Sequence, residues 1–217
     1  SGPAASLCIS AYDNNWNGVS RRISDNTSQI SDMSDKIDNV PYGDSGSSVI
    51  YTFFDEENSN RVNFFVSEDG VNLRRLVTDG EIQARDPSLL YKNGKYYLAV
   101  TSYSSTYNFI VYVSEDLNTW TAHKIDVGLY DETYPKVWAP EWFEDTDGKI
   151  YLIISKQYAD TEGWGDFHPY IVECTDLESM EFGVPQQMIL NGALSDNHID
   201  GAIAKIGSVY HLIIKSD

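Results

Sequence analysis

The sequence predicts an all-β fold assembled from β-propeller blades, and three observations carry that expectation. First, a hairpin block recurs. "PSLLYKNGKYYLAVTS", "PEWFEDTDGKIYLIIS" and "GAIAKIGSVYHLIIKS" turn at Gly94, Gly148 and Gly207, at intervals of 54 and 59 residues. Second, a strand, a polar turn and another strand follow each of the first two blocks and precede them all. "RVNFFVSEDGVNLRRL" holds Asp69, "NFIVYVSEDLNTWTAHKI" holds Asp116 and "PYIVECTDLESMEFG" holds Asp176. Third, no long amphipathic helical pattern appears. Together they give one four-stranded antiparallel unit in roughly 50–60 residues, the period of a propeller blade. A β-sandwich also collects short strands, but it does not usually repeat a whole pair of hairpins, so the propeller is favoured.

Taken in order, residues 1–46 are a polar lead-in segment, rich in Ser, Asn and Asp. Within it "YDNNWNG" partly imitates a calcium loop, with Asp13, Asn15, Asn17 and Gly18 at suitable offsets. The twelfth position of that loop is Ser24 rather than a bidentate acid, so a Gly/Asn turn is the better reading and no metal is expected. The partial propeller runs over 47–217. "SSVIYTFF" opens its first blade, over 47–76; a second follows over 84–125 and a third over 137–189. Residues 199–217 read as the front half of a fourth. Asn93-Gly94 and Asp147-Gly148 favour the type I′ turn of a tight hairpin. Propellers close on four to eight blades, so a longer chain or a C-terminal partner segment is expected to complete the ring.

Charge and composition narrow the function. Asp and Glu number 33 against 15 Lys and Arg, a net charge of −18. Such a surface repels nucleic acid and anionic membrane, and suits a secreted or cell-surface protein acting on a neutral ligand. No apolar stretch is long enough for membrane insertion. Cys8 and Cys174 have no metal-ligand spacing; two unpaired thiols are favoured over one long-range disulfide. No nucleotide loop or nucleophile elbow is present, and no cofactor is expected. The 15 Tyr and 5 Trp are many. They fit either a tyrosine-rich core or a surface whose rings stack on sugars.

Three acids stand at the starts of apolar blocks: Asp86 before Pro87, Glu141 after Pro140 and Asp200 after Ile199, spaced by 55 and 59 residues. One such acid is usually a solvated cap. Three at one phase would meet where the innermost strands of a propeller open on its axis, and like charges in one cleft raise one another's pKa. Carboxylates beside aromatics fit glycoside hydrolysis, in which two carboxyl groups flank the bond.

"RDPSLLYKNGKYYL", "VWAPEWFEDTDGKIYL" and "HIDGAIAKIGSVYHL" resemble the successive motifs of glycoside hydrolase family 43. The resemblance covers about 50–217. It implies a five-bladed β-propeller, here truncated to about three and a half blades, and an inverting hydrolase of arabinose- or xylose-containing polysaccharide or oligosaccharide. By resemblance, Asp86 matches the general base and Asp200 the acid that tunes and orients the general acid. Glu141 matches a site that more often holds Asp, and is read as pocket lining. The general acid would be a Glu one blade beyond Asp200. Glu162 is followed by Gly163 and Trp164 in the wrong blade and does not fill that role. Trp138, Trp164, His168 and His198 are candidate substrate contacts; packing explains Trp138 or the 156–170 loop equally well, and for His198 an ordinary hydrogen-bonded histidine is the favoured reading. The alternative function is a noncatalytic glycan-binding propeller of a surface protein, which needs aromatics and a pocket but no acid pair.

Overall fold

The computed structural model describes residues 49–55, 57, 60–68, 70–76, 78, 80–101, 108–127, 136–157, 167–189 and 197–216. Their strands form four antiparallel sheets in chain order. The first holds β1 (Val49–Asp55), β2 (Arg61–Ser67) and β3 (Arg74–Leu76). The second holds β4 (Arg85–Lys92), β5 (Lys95–Thr101), β6 (Asn108–Ser114) and β7 (Thr121–Asp126). In the third, β8 (Val137–Glu144) and β9 (Ile150–Gln157) lead to β10 (Phe167–Asp176), on which β11 (Glu181–Phe182) and β12 (Gln186–Gln187) both pair. The fourth is the hairpin of β13 (His198–Ile206) and β14 (Val209–Ser216). Each sheet is a meander, and the first strands pack side by side: β1 on β4, β4 on β8 and β8 on β13. This is the blade order predicted from the repeat.

The apolar runs follow from that stacking. In β5, Tyr97 and Ala99 face the third sheet, joining Trp142, Leu152, Ile154 and Val172 in one core cluster. Leu98 and Val100 face the first sheet, where Val62 and Phe64 cover them. Because neighbouring blades cover both faces, "YLAV" is apolar without alternation, and Leu98, Ala99 and Val100 are fully buried. Burial of a leucine such as Leu98 contributes about 1.5–3 kcal/mol. Polar bonds join the same layers: the Trp142 indole donates to the Tyr97 carbonyl at 3.0 Å.

The two turn predictions came out differently. Asn93 and Gly94 have φ of 53° and 80°, and Lys92 pairs with Lys95, a two-residue type I′ turn. Asp147-Gly148 instead sits in a longer connection between Glu144 and Ile150, closed by the Asp145 amide on the Lys149 carbonyl at 2.9 Å. The recurring acids Asp116 and Asp176 are turn caps. Asp116 Oδ1 accepts from the amides of Asn118 and Thr119 at 2.8 and 2.7 Å, and Asp176 Oδ1 from those of Glu178 and Ser179 at 2.9 and 3.1 Å. These amides hold both carboxyls below the usual range. Cys174 is a free, buried thiol pushed up to about 12 by burial. Cys8 and the lead-in, with its calcium-like loop, lie outside the described residues.

Candidate functional site

Each of the three later first strands is interrupted by a bulge near its start. Pairing slips between Arg85 and Ser88 in β4, Trp138 and Glu141 in β8, and Ile199 and Ala202 in β13. The residue inside each bulge is left-handed: Asp86 at φ 51°, Ala139 at 49° and Asp200 at 57°. A non-glycine residue there costs roughly 1–2 kcal/mol, so three repeats of it mark a built feature of the blade. Bulges re-aim side chains, and this one sits at the same end of each blade.

The register corrects one expectation. Asp86, Ala139 and Asp200 are equivalent, whereas Glu141 is equivalent to Ser88 and Ala202. Glu141 is therefore two positions past the phase of the other acids, half-buried opposite Ile153. The repeat brings two carboxylates to equivalent places, with Ala139 between them. The signal was present in the sequence: aligning Pro87 with Pro140 puts Asp86 against Ala139, but equal spacing of acids concealed it.

Hydroxyls in the second strands tie the bulges of β8 and β13 to the preceding blade. Thr101 at the end of β5 is buried; its Oγ1 accepts from the Ala139 amide at 2.8 Å and donates to Asp86 Oδ2 at 2.5 Å. In the next blade Ser155 Oγ, also buried, accepts from the Asp200 amide at 3.1 Å. Thr101 and Ser155 both lie seven residues after their turn glycines, an offset visible in the sequence though not its use. In the fourth hairpin Lys215, opposite Ile199, takes the corresponding place. Further along, the buried Ser88 Oγ accepts from the Trp142 amide at 3.0 Å. The Thr52 hydroxyl of β1 donates to the Pro87 carbonyl at 3.0 Å. Beneath Asp200, an added Cβ on Gly201 would lie 3.2 Å from Ile153 Cγ2, so glycine lets β13 close onto β9.

The other candidates are spread around this end. Trp138 stacks on the buried Phe167 with centroids 4.5 Å apart, and the Lys136 ammonium lies 5.6 Å from its ring centre. One face of the indole is thus taken by packing. His168 is half-buried, pairs with Lys156 and follows Phe167, whose amide donates to Asn197 Oδ1 at 3.1 Å. His198 occupies the core-facing place that Ala84 and Val137 fill in the other blades. It is only 4% exposed, and among the described residues neither ring nitrogen has a hydrogen-bond partner. An unpaired buried imidazole is costly, unlike the satisfied histidine that is the usual case. Trp164 and Glu162 lie outside the described residues. A separate cleft on the first sheet is lined by Arg61, Asn63, Arg75 and Thr78; Arg61 pairs with Glu81 and Arg75 donates to Asn63. Among the described residues no group of three or more His, Cys, Asp or Glu side chains is placed to hold a metal ion.

The sequence profile of glycosyl hydrolases family 43 matches residues 80–213, a span that includes both bulge carboxylates. The chain belongs to this family. A curated relative, "Xylosidase/arabinosidase" of Butyrivibrio fibrisolvens, is 32% identical over 111 residues, which are 51% of this chain and 20% of that protein. Among solved structures, an α-L-arabinofuranosidase of Clostridium thermocellum is similar with a TM-score of 0.53 and 15% identity, over 83% of this chain and 57% of that one. A family 32 β-fructofuranosidase of Bombyx mori has a TM-score of 0.55 and 19% identity, over 80% and 40%. At such identities the structural likeness shows the fold. The chain spans about a fifth of the curated relative and about half of these structures. Family 43 propellers have five blades, and the described strands supply three of them and the front of a fourth.

Proposed function

We propose that the intact protein is an inverting glycoside hydrolase acting on arabinose- or xylose-containing chains, with Asp86 as general base and Asp200 as the acid that orients and tunes the proton donor. The carrying observation is that Asp86 and Asp200 occupy equivalent left-handed bulge positions on first strands that flank one common blade. In the reaction a water oxygen attacks the anomeric carbon while Asp86 takes its proton. The leaving oxygen takes a proton from a second carboxylic acid, and the two carboxyls stand roughly 6.5–9.5 Å apart to admit the water. The donor in this reading is a Glu of the blade that follows β14. Exposed Ile206, Val209 and Ile213 on the last hairpin support such a blade, because neighbours cover the equivalent faces elsewhere. The pentose preference rests on the likeness to the curated xylosidase/arabinosidase. A net charge of −18 is compatible with an uncharged glycan substrate and with work outside the cell.

The test is hydrolysis of aryl arabinofuranosides and xylosides by the intact protein and its Asp86→Asn variant. Loss of a general base predicts a fall in kcat of about 10²–10⁴-fold. Equal activity in the two would remove Asp86 from the mechanism.

A further inference from the structure

We propose that Thr101 is a positioning residue for Asp86: from the adjacent strand of the same blade it holds the carboxylate ionised and fixes its orientation, and the Ala139 amide of the next blade aims it. The inference rests on the reading of Asp86 as general base. A threonine hydroxyl has a single proton. Here the Ala139 amide, set by the bulge of β8, occupies a lone pair of Thr101 Oγ1 at 2.8 Å. The hydroxyl proton is then given to Asp86 Oδ2 at 2.5 Å. Backbone of one blade thereby aims a donor at the carboxylate of the blade before it, and Thr101 is 6% exposed, so water competes weakly for the bond.

The sister blade separates this role from mere fastening. Ser155 receives the same kind of amide bond, from Asp200 at 3.1 Å, but the bulge paired with its own strand holds Ala139, which has no carboxylate. Fastening successive blades therefore needs only the accepting half of the hydroxyl. The donating half is used where an acid stands in the bulge. A hydrogen bond to the charged form favours that form, so it keeps the base deprotonated to lower pH. It also reserves Oδ2 for Thr101 and so restricts the rotation of the carboxylate.

The experiment is the pH profile of kcat/KM on an aryl pentoside, measured on the intact protein with Thr101→Val, Thr101→Ser, Thr101→Cys, Ser88→Ala and Asp86→Asn. Thr101→Val keeps the shape and loses the donor; its acidic limb is expected to move up by about one pH unit, with a fall in kcat larger than any rise in KM. Thr101→Ser keeps the wild-type limb. Ser88→Ala breaks a comparable inter-blade bond, to Trp142, and lowers the melting temperature without moving the limb. Should Thr101→Val not fold, Thr101→Cys, with its weak thiol donor, must still shift the limb upward. A limb unmoved in the folded Val or Cys variant, with Asp86→Asn inactive, leaves Thr101 a fastener and overturns this inference alone. A Ser variant as shifted as Val also overturns it. If Asp86→Asn hydrolyses like the wild type, the reading of Asp86 falls and this inference with it.

Discussion

Two aspartates and an alanine share one backbone conformation, and this decides which side chains form the candidate site. Asp86 and Asp200 were legible as acids opening apolar blocks. Glu141 was placed with them by spacing, and the bulge register puts Ala139 there instead. Thr101 was not legible, because its use depends on a distance between blades that no local pattern encodes. Cys174 shows the opposite case, a residue whose burial follows from its strand. Packed with Leu152 and Val172 and pushed up to about 12, its thiol is expected to stay protonated and unreactive at pH 8. Alkylation followed by peptide mapping should leave Cys174 unlabelled in the native protein and labelled in denaturant; rapid native labelling would contradict the packing described.

Strand pairs were the most readable level, because their turns and apolar runs are local. Gly94, at φ 80° with nothing within 4 Å of an added Cβ, isolates backbone strain from packing. Gly94→Ala should lower stability by about 1–2 kcal/mol in denaturant unfolding, without altering the core. Leu98→Ala removes a fully buried side chain shared by two blades and should cost about 2–5 kcal/mol. A loss for Leu98→Ala as small as for an exposed leucine would mean that the first two sheets do not stack as described. The Asp147-Gly148 turn was misread because dipeptide chemistry does not set loop length; Lys149 pairing back to Asp145 does. The bulges were also hidden, since two of them lie under prolines that read only as strand starts.

Between blades, charge contributes as well as burial. The Lys205 ammonium bonds Asp145 at 2.5 Å, and the Tyr210 hydroxyl adds a bond at 2.6 Å, clasping the last hairpin to the third blade. Together they hold the Asp145 carboxyl well below its ordinary 3.8. A depressed carboxyl stabilises the fold above its unfolded value and loses that contribution as pH falls through the folded one. Lys205→Met should therefore be less stable than the wild type at pH 6, and the gap should narrow steadily as pH falls below about 4. A gap independent of pH would assign the loss to the Lys205 ammonium over the Tyr210 ring, 4.6 Å from its centre, rather than to the Asp145 carboxylate. The blade repeat made the whole assembly predictable, but it could not show which residues neighbouring blades share. The most direct test of the shared site is a double-mutant cycle on kcat/KM of the intact protein, using Asp86→Asn, Asp200→Asn and the pair. If both acids serve one reaction centre, the double variant should be little worse than the more damaged single one. Losses that multiply as independent effects, or full activity in either single variant, would contradict it.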